Sequence, residues 1–130
     1  MEGFVSSFSG FSVNDIAAAH TFYINTLGLT LQDENMGLHI VLPGGQTVFI
    51  YEKPDHQPAS FTILNFVVTN IDAVVDELKT RGVRFERYDL GNGAAQDEND
   101  ILRGLSAGMG PDIAWFKDPA GNVLSVLQSE

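Results

Sequence analysis

The chain has 130 residues, 44% of them hydrophobic and 18% charged, with no cysteine; this is the range of one globular domain that buries a core without disulfide or metal staples. The missing cysteine excludes disulfides, thiolate nucleophiles and thiolate metal sites. Seven Lys and Arg against 17 Asp and Glu give a formal charge of -10, which repels phosphate backbones and anionic membranes and tolerates a neutral or cationic small molecule, though solubility alone also accounts for it. The N-terminus lacks the basic start and apolar run of an export signal, and no stretch is long enough to span a bilayer. A cytoplasmic protein that binds neither nucleic acid nor membrane is therefore expected.

Alternation over Phe8 to Val13 reads as a short strand, and Asn14-Asp15 supplies a helix N-cap. Ile16 to Thr26 carries Ile16, Ala19, Phe22, Tyr23 and Leu27 at helical spacing and stops at Gly28. Strands are expected at Leu29 to Asp33, Leu38 to Leu42 and Thr47 to Glu52, the last two joined by Pro43-Gly44-Gly45-Gln46. Lys53 to Ser60 holds Pro54, Asp55, His56, Gln57 and Pro58 and reads as a solvated connector.

The pattern then restarts. Phe66-Val67-Val68-Thr69-Asn70-Ile71 lines up with Phe11-Ser12-Val13-Asn14-Asp15-Ile16 at an offset of 55, and each leads into a helix, the second over Ile71 to Thr80. Val83 to Tyr88, Ile113 to Lys117 and Asn122 to Gln128 read as strands, with Asp118-Pro119-Ala120-Gly121 as the turn before the last. Leu90 to Pro111, rich in Gly and acidic residues, is too long for an idle connector and reads as a lid or a surface loop. The fold class is α+β: two βαβββ modules, about 5–53 and 61–130 with a connector at 54–60, in one domain. Such a module leaves an apolar sheet face that a copy can cover.

Three segments carry a resemblance: Val13-Asn14-Asp15-Ile16 with Phe22-Tyr23 and Leu27-Gly28-Leu29; Val68-Thr69-Asn70-Ile71 with Leu78 and Gly82-Val83; and Ala114 to Asn122, with its Phe-Lys-Asp-Pro-x-Gly-Asn hairpin. They resemble the vicinal oxygen chelate superfamily, which includes glyoxalase I, bleomycin-resistance proteins and extradiol dioxygenases. The resemblance implies two modules whose sheets curve into an open, ligand-holding cup with helices on the outer face, and a homodimer. It also implies a divalent metal held by four strands, at positions that match Phe8, Glu52, Ile63 and Ser125. Of these only Glu52 is a good ligand, so neither metal nor other cofactor is expected.

If Gly44-Gly45 forms a two-residue turn, His39, Val41, Val48, Ile50 and Glu52 share the cup face, leaving Leu38, Ile40, Leu42, Phe49 and Tyr51 for the helices. The expected ligand-binding residues are then Phe8, Ser12, His39, Val41, Ile50, Glu52, Ile63, Asn65, Ser125 and, near the long loop, Met109 and Trp115. Two functions stay open. One is a metal-independent protein that binds an organic ligand, with Glu52 anchoring a cation. The other is a lyase, isomerase or dioxygenase that uses Glu52 and His39 as a catalytic acid–base pair, or a metal site outside the family pattern. His20 is expected at the surface or in helix packing, and His56 in solvent.

Overall fold

The computed structural model describes residues 1–91 and 94–130. They form two compact units, Met1–Pro58 and Ala59–Glu130, each with one four-stranded mixed sheet that does not close, so the class is α+β.

The first unit contains β1 (Ser9–Val13), α1 (Ile16–His20), β2 (Thr30–Glu34), β3 (Leu38–Val41) and β4 (Thr47–Glu52). Its strands run in the order β1-β4-β3-β2, with β1 parallel to β4 and the other pairs antiparallel. The helix expected to run to Thr26 continues past His20 as a π-helical stretch, Thr21–Thr26, in which Leu27 N–H reaches back five residues to the Phe22 carbonyl. Here Tyr23 is fully buried, with its ring against Phe11 (5.9 Å) and Phe22 (5.2 Å).

The β3–β4 hairpin departs from expectation by one residue. Val41 pairs with Thr47, Ile40 with Val48, His39 with Phe49 and Leu38 with Ile50. Proline is the physical reason: a two-residue turn would put Pro43 opposite Gln46, where the ladder needs an N–H that proline lacks. Instead Leu42 N–H donates to the Gln46 carbonyl at 2.7 Å, and Pro43-Gly44-Gly45 forms a three-residue loop with both glycines at positive φ. A one-residue shift exchanges the faces of one strand relative to the other. Leu38, Ile40, Val48 and Ile50 are accordingly all buried on the side packed by α1, while His39, Val41, Phe49 and Tyr51 share the opposite face.

The second unit contains β5 (Thr62–Val67), α2 (Ile71–Thr80), β6 (Leu102–Arg103), α3 (Gly104–Ala107), β7 (Asp112–Lys117) and β8 (Val123–Gln128), in the sheet order β5-β8-β7-β6. The strand expected over Val83 to Tyr88 is reduced to one bridge, Phe85 with Phe116, and the short β6 takes the neighbouring edge of β7. The Asp-Pro-Ala-Gly-Asn turn closes on itself: Asp118 Oδ1 accepts from the backbone N–H of Ala120 and Asn122, and Asn122 Nδ2 donates to Asp118 Oδ2, each at 2.9 Å.

Helices α1 and α2 start in the same way. Asp15 Oδ1 accepts from Ala18 N–H and Asn70 Oδ1 from Ala73 N–H, both at 3.1 Å. The first helical N–H of each is held by the last strand of its own unit: Ile16 donates to Glu52 Oε1 at 2.9 Å and Ile71 to Gln128 Oε1 at 3.0 Å. The 55-residue sequence offset thus has a structural counterpart.

The segment expected as a lid or surface loop, Leu90 to Pro111, of which residues 92 and 93 lie outside the described residues, is tied down through its middle. Arg103 donates to Asp72 (2.5 and 3.1 Å) and Asp97 (2.8 Å), Asp100 receives Arg87 (2.6 Å) and Lys79 (3.1 Å), and Ile101 is fully buried beneath them. Arg103's hydrogen bond is the main cause that holds the Asp72 pKa below the usual carboxylate value. For Asp97 burial pushes upward, but hydrogen bonds from Ile101 N–H, Arg103 and Asn99 N–H outweigh it; for Asp100 burial is outweighed by Arg87 and Lys79.

Two predictions follow from these contacts. Because Gln128 does in one unit what Glu52 does in the other, Glu52→Gln should leave the urea midpoint nearly unchanged, whereas Glu52→Ala and Gln128→Ala should each cost about 1 kcal/mol in equilibrium unfolding. The depressed carboxyls stabilise the fold fully above the unfolded carboxylate pKa of about 4, and that contribution is lost as pH falls through their lower folded values. Hydrogen exchange at Ile101, whose N–H donates to Asp97 Oδ1, should therefore accelerate below about pH 4 relative to the amides of β8, and Arg103→Met should show the faster exchange already at neutral pH.

Candidate ligand-binding face

Strand alternation builds one face on the first sheet from the residues turned away from α1. His39 lies on Phe49, with centroids 4.6 Å apart, and Phe49 stacks on Tyr51 at 5.6 Å and 21°. All three side chains are half-buried. Gly10 and Ser12 join this face, because β1 pairs Gly10 with Phe49 and Ser12 with Tyr51 in parallel register. Gly37 makes room for the row: a Cβ there would meet Ile50 O at 2.5 Å and Phe49 Cε1 at 2.7 Å, at a φ of +152°.

His39 and Glu52 are not brought together. His39 Nε2 donates to the Asn35 carbonyl at 3.2 Å and lies 3.8 Å from Asp33. Glu52 alternates with Phe49 and Tyr51, shares the side of Val48 and Ile50, and is engaged by Ile16 N–H at the start of α1. The expected acid–base pair is thus split across two faces of the sheet. Ile50, also expected to line the site, is fully buried on the helix side, while Val41 shares the opposite face with His39.

The sequence reading also missed a contact. His56 is not merely solvated: its Nδ1 lies 2.6 Å from Ser12 Oγ, and both residues are half-buried. Lys53 N–H donates to the Val13 carbonyl, His56 N–H donates to the Lys53 carbonyl, and Lys53 is paired with Asp55, so the chain turns back onto β1 directly after β4. Pro54-Asp55 is turn chemistry, and it is the one sequence signal that His56 could return to the sheet.

On the second sheet, Trp115 of β7 pairs with Ser125 of β8, and Ser125 pairs with Asn65 of β5. These three share the face opposite the buried Ala114, Phe116, Leu124 and Val126. Ser125 is fully buried and donates to Asn65 Oδ1 at 2.5 Å. The Tyr88 ring meets Trp115 edge-on at 5.6 Å, and burial, with the charge of Glu86, pushes its phenol pKa upward. Ile63 sits at the bulge between Thr62 and Leu64, Phe8 stands two-thirds exposed just ahead of β1, and Met109 is equally exposed beyond α3.

The family's divalent metal does not fit the four matched residues. Phe8 and Ile63 offer no lone pair, the Ser125 hydroxyl, a donor to Asn65, is a poor neutral ligand, and the Glu52 carboxylate is engaged at the α1 N-terminus. Among the described residues no group of three or more His, Asp or Glu side chains could hold an ion. No described helix is long and apolar enough to cross a membrane. A separate cleft of about 560 Å³ lies beside α1, between Ile16, His20 and the Glu34–Leu38 turn, with His20 Nε2 3.2 Å from Glu34 Oε1.

The sequence profile of the Glyoxalase/Bleomycin resistance protein/Dioxygenase superfamily matches residues 8–126, and the chain belongs to that superfamily. Among solved structures it is similar to a glyoxalase-family protein from Bacillus anthracis, with 18% identity, 100% of both chains covered and a TM-score of 0.66. It is also similar to TnmS3, an antibiotic-binding protein from Streptomyces sp. CB03234, with 24% identity, 97% of this chain and 98% of that one covered and a TM-score of 0.66. A third is a glyoxalase/bleomycin resistance protein from the same Streptomyces strain, with 25% identity, 94% and 100% covered and a TM-score of 0.60. No curated protein sequence matches.

Gly37→Ala tests how the aromatic row is seated. The added methyl must displace the Phe49 ring or the β3–β4 ladder, and a loss of about 1–3 kcal/mol in urea unfolding is expected, with the Phe49 ring resonances shifted in NMR spectra.

Proposed function

We propose that this chain binds a planar organic molecule, aromatic and preferably cationic, against the helix-free face of its first sheet, without a metal. The observation that carries this reading is the continuous His39–Phe49–Tyr51 row, half-buried and stacked on the side of the sheet that α1 does not cover. Aromatic faces attract flat ring systems through apolar area and cations through the ring quadrupole. The formal charge of -10 adds a long-range attraction for cations. The similarity to an antibiotic-binding protein supports a binding role of this kind, and Tyr88, Trp115, Asn65 and Ser125 give the second sheet a comparable mixture of rings and hydrogen-bonding groups. Phe8, Ile63 and Met109, exposed or at strand irregularities, serve at most as apolar margins.

Binding takes precedence over catalysis through Glu52 and His39, because the two side chains project from opposite faces and cannot share a proton. The working form is a homodimer in the cytoplasm. Sedimentation equilibrium should then give twice the 14.1 kDa chain mass.

Isothermal titration with 9-aminoacridine, a flat aromatic cation, against choline, a small aliphatic one, tests the reading. The acridine should bind and choline should bind more weakly. Phe49→Ala and Tyr51→Ala should each weaken acridine binding about tenfold, equivalent to about 1.4 kcal/mol, and EDTA should change nothing. Equal affinities for the two cations, or loss of binding in EDTA, would overturn it.

A further inference from the structure

The contact between Ser12 and His56 has no counterpart in the superfamily's metal pattern and is not needed for stacking a ligand. It joins β1 to the residue that closes the turn after β4, 44 positions away, with Oγ and Nδ1 2.6 Å apart. Serine alcohols are poor nucleophiles until a base lies within hydrogen-bond reach of the hydroxyl, and 2.6 Å is at the short end of that range. Ser12 is on the sheet face that carries Phe49 and Tyr51 and is half-buried, as is His56. A carbonyl compound lying on the aromatic row would therefore present itself beside the hydroxyl. The imidazole is positioned by its backbone: His56 N–H is held by the Lys53 carbonyl and Lys53 N–H by the Val13 carbonyl, next to Ser12 itself. The charges in the same turn, Lys53 and Asp55, are paired with each other, and the Glu52 carboxylate is engaged by Ile16 N–H.

We propose that Ser12 and His56 form a nucleophile–base pair that accepts acyl groups from small activated esters seated on the same ring-bearing face, an activity separate from the family's metal chemistry. With the ring proton on Nε2, Nδ1 accepts the Ser12 proton as Oγ bonds to the ester carbonyl carbon. The tetrahedral adduct collapses with cleavage of the carbon–oxygen bond to the leaving group, which departs as an alcohol carrying the proton from His56. Water then adds to the acyl-serine while Nδ1 takes its proton, the acid is released, and the Ser12 hydroxyl is restored. No oxidant, reductant or metal enters the balance.

Diisopropyl fluorophosphate reads the pair without any knowledge of the natural substrate, since Oγ displaces fluoride and leaves a stable phosphoryl adduct. Peptide mass spectrometry of the treated full chain should find one adduct, on Ser12. It should be absent in Ser12→Ala and form at least a hundredfold more slowly in His56→Asn, while His20→Gln labels like the wild type. Circular dichroism melting of the two variants shows whether they are folded, and labelling of folded wild-type protein decides the matter even if they are not. Hydrolysis of p-nitrophenyl acetate should be lost in parallel. No adduct on Ser12 in the wild type, or equal labelling rates in wild type and folded His56→Asn, overturns the proposal. Neither result bears on acridine affinity, so the binding reading stands or falls separately.

Discussion

The hydrogen bond from the first helical N–H to the last strand of the same unit marks, in both units, which side of the sheet the helix covers. Ile16 meets Glu52 and Ile71 meets Gln128, and in each unit the N-cap side chain one residue earlier holds the N–H three positions on. A helix so fixed can lie against only one side of its sheet. The apolar residues of that side, Val48 and Ile50 in one unit and Leu124 and Val126 in the other, are buried, and the opposite side is left for other chemistry. The carboxylate that looked like a surviving metal ligand is, in its geometry, a helix cap with a neutral equivalent 76 residues later.

With the helix side assigned, strand alternation settles the character of the remaining face. On the first sheet it carries rings, two of them nearly parallel, and a hydroxyl–imidazole pair, but no carboxylate of β4. A surface of this composition favours dispersion, quadrupole and hydrogen-bond contacts over coordination. The ionic network around Arg103 ties the segment before β7 to α2 within its own unit.

The fold was largely legible in the sequence because its signals are local. Asp15 and Asn70 announce helix starts, Gly28 an end, and the Asp118–Asn122 turn closes through its own side chains, so the strand-to-helix openings of both units and the element order of the first could be read without tertiary information, whereas β6 and α3 stand where only a loop was expected. The site was less legible because it depends on parity. Pro43 moved one residue from the ladder into the loop, and that shift exchanged Val48, Ile50 and Glu52 for Phe49 and Tyr51 on the face that carries His39 and Val41. The Ser12–His56 contact was invisible for a different reason: it is made by a turn that brings together residues with no shared local pattern. Val83 to Tyr88 had the composition of a strand, yet it meets β7 only at Phe85 and Glu86, and Leu102 and Arg103 pair with the start of that strand, which no local signal encodes.

The central claim is that the ring-bearing face of the first sheet holds ligand while Glu52 holds a helix. A crystal structure of the protein grown with 9-aminoacridine and excess zinc tests both halves at once, with anomalous scattering to locate the metal. The account predicts acridine density stacked on Phe49 and Tyr51, and Glu52 still bonded to Ile16 N–H with no zinc beside it. Zinc on Glu52, with the acridine elsewhere, would contradict it.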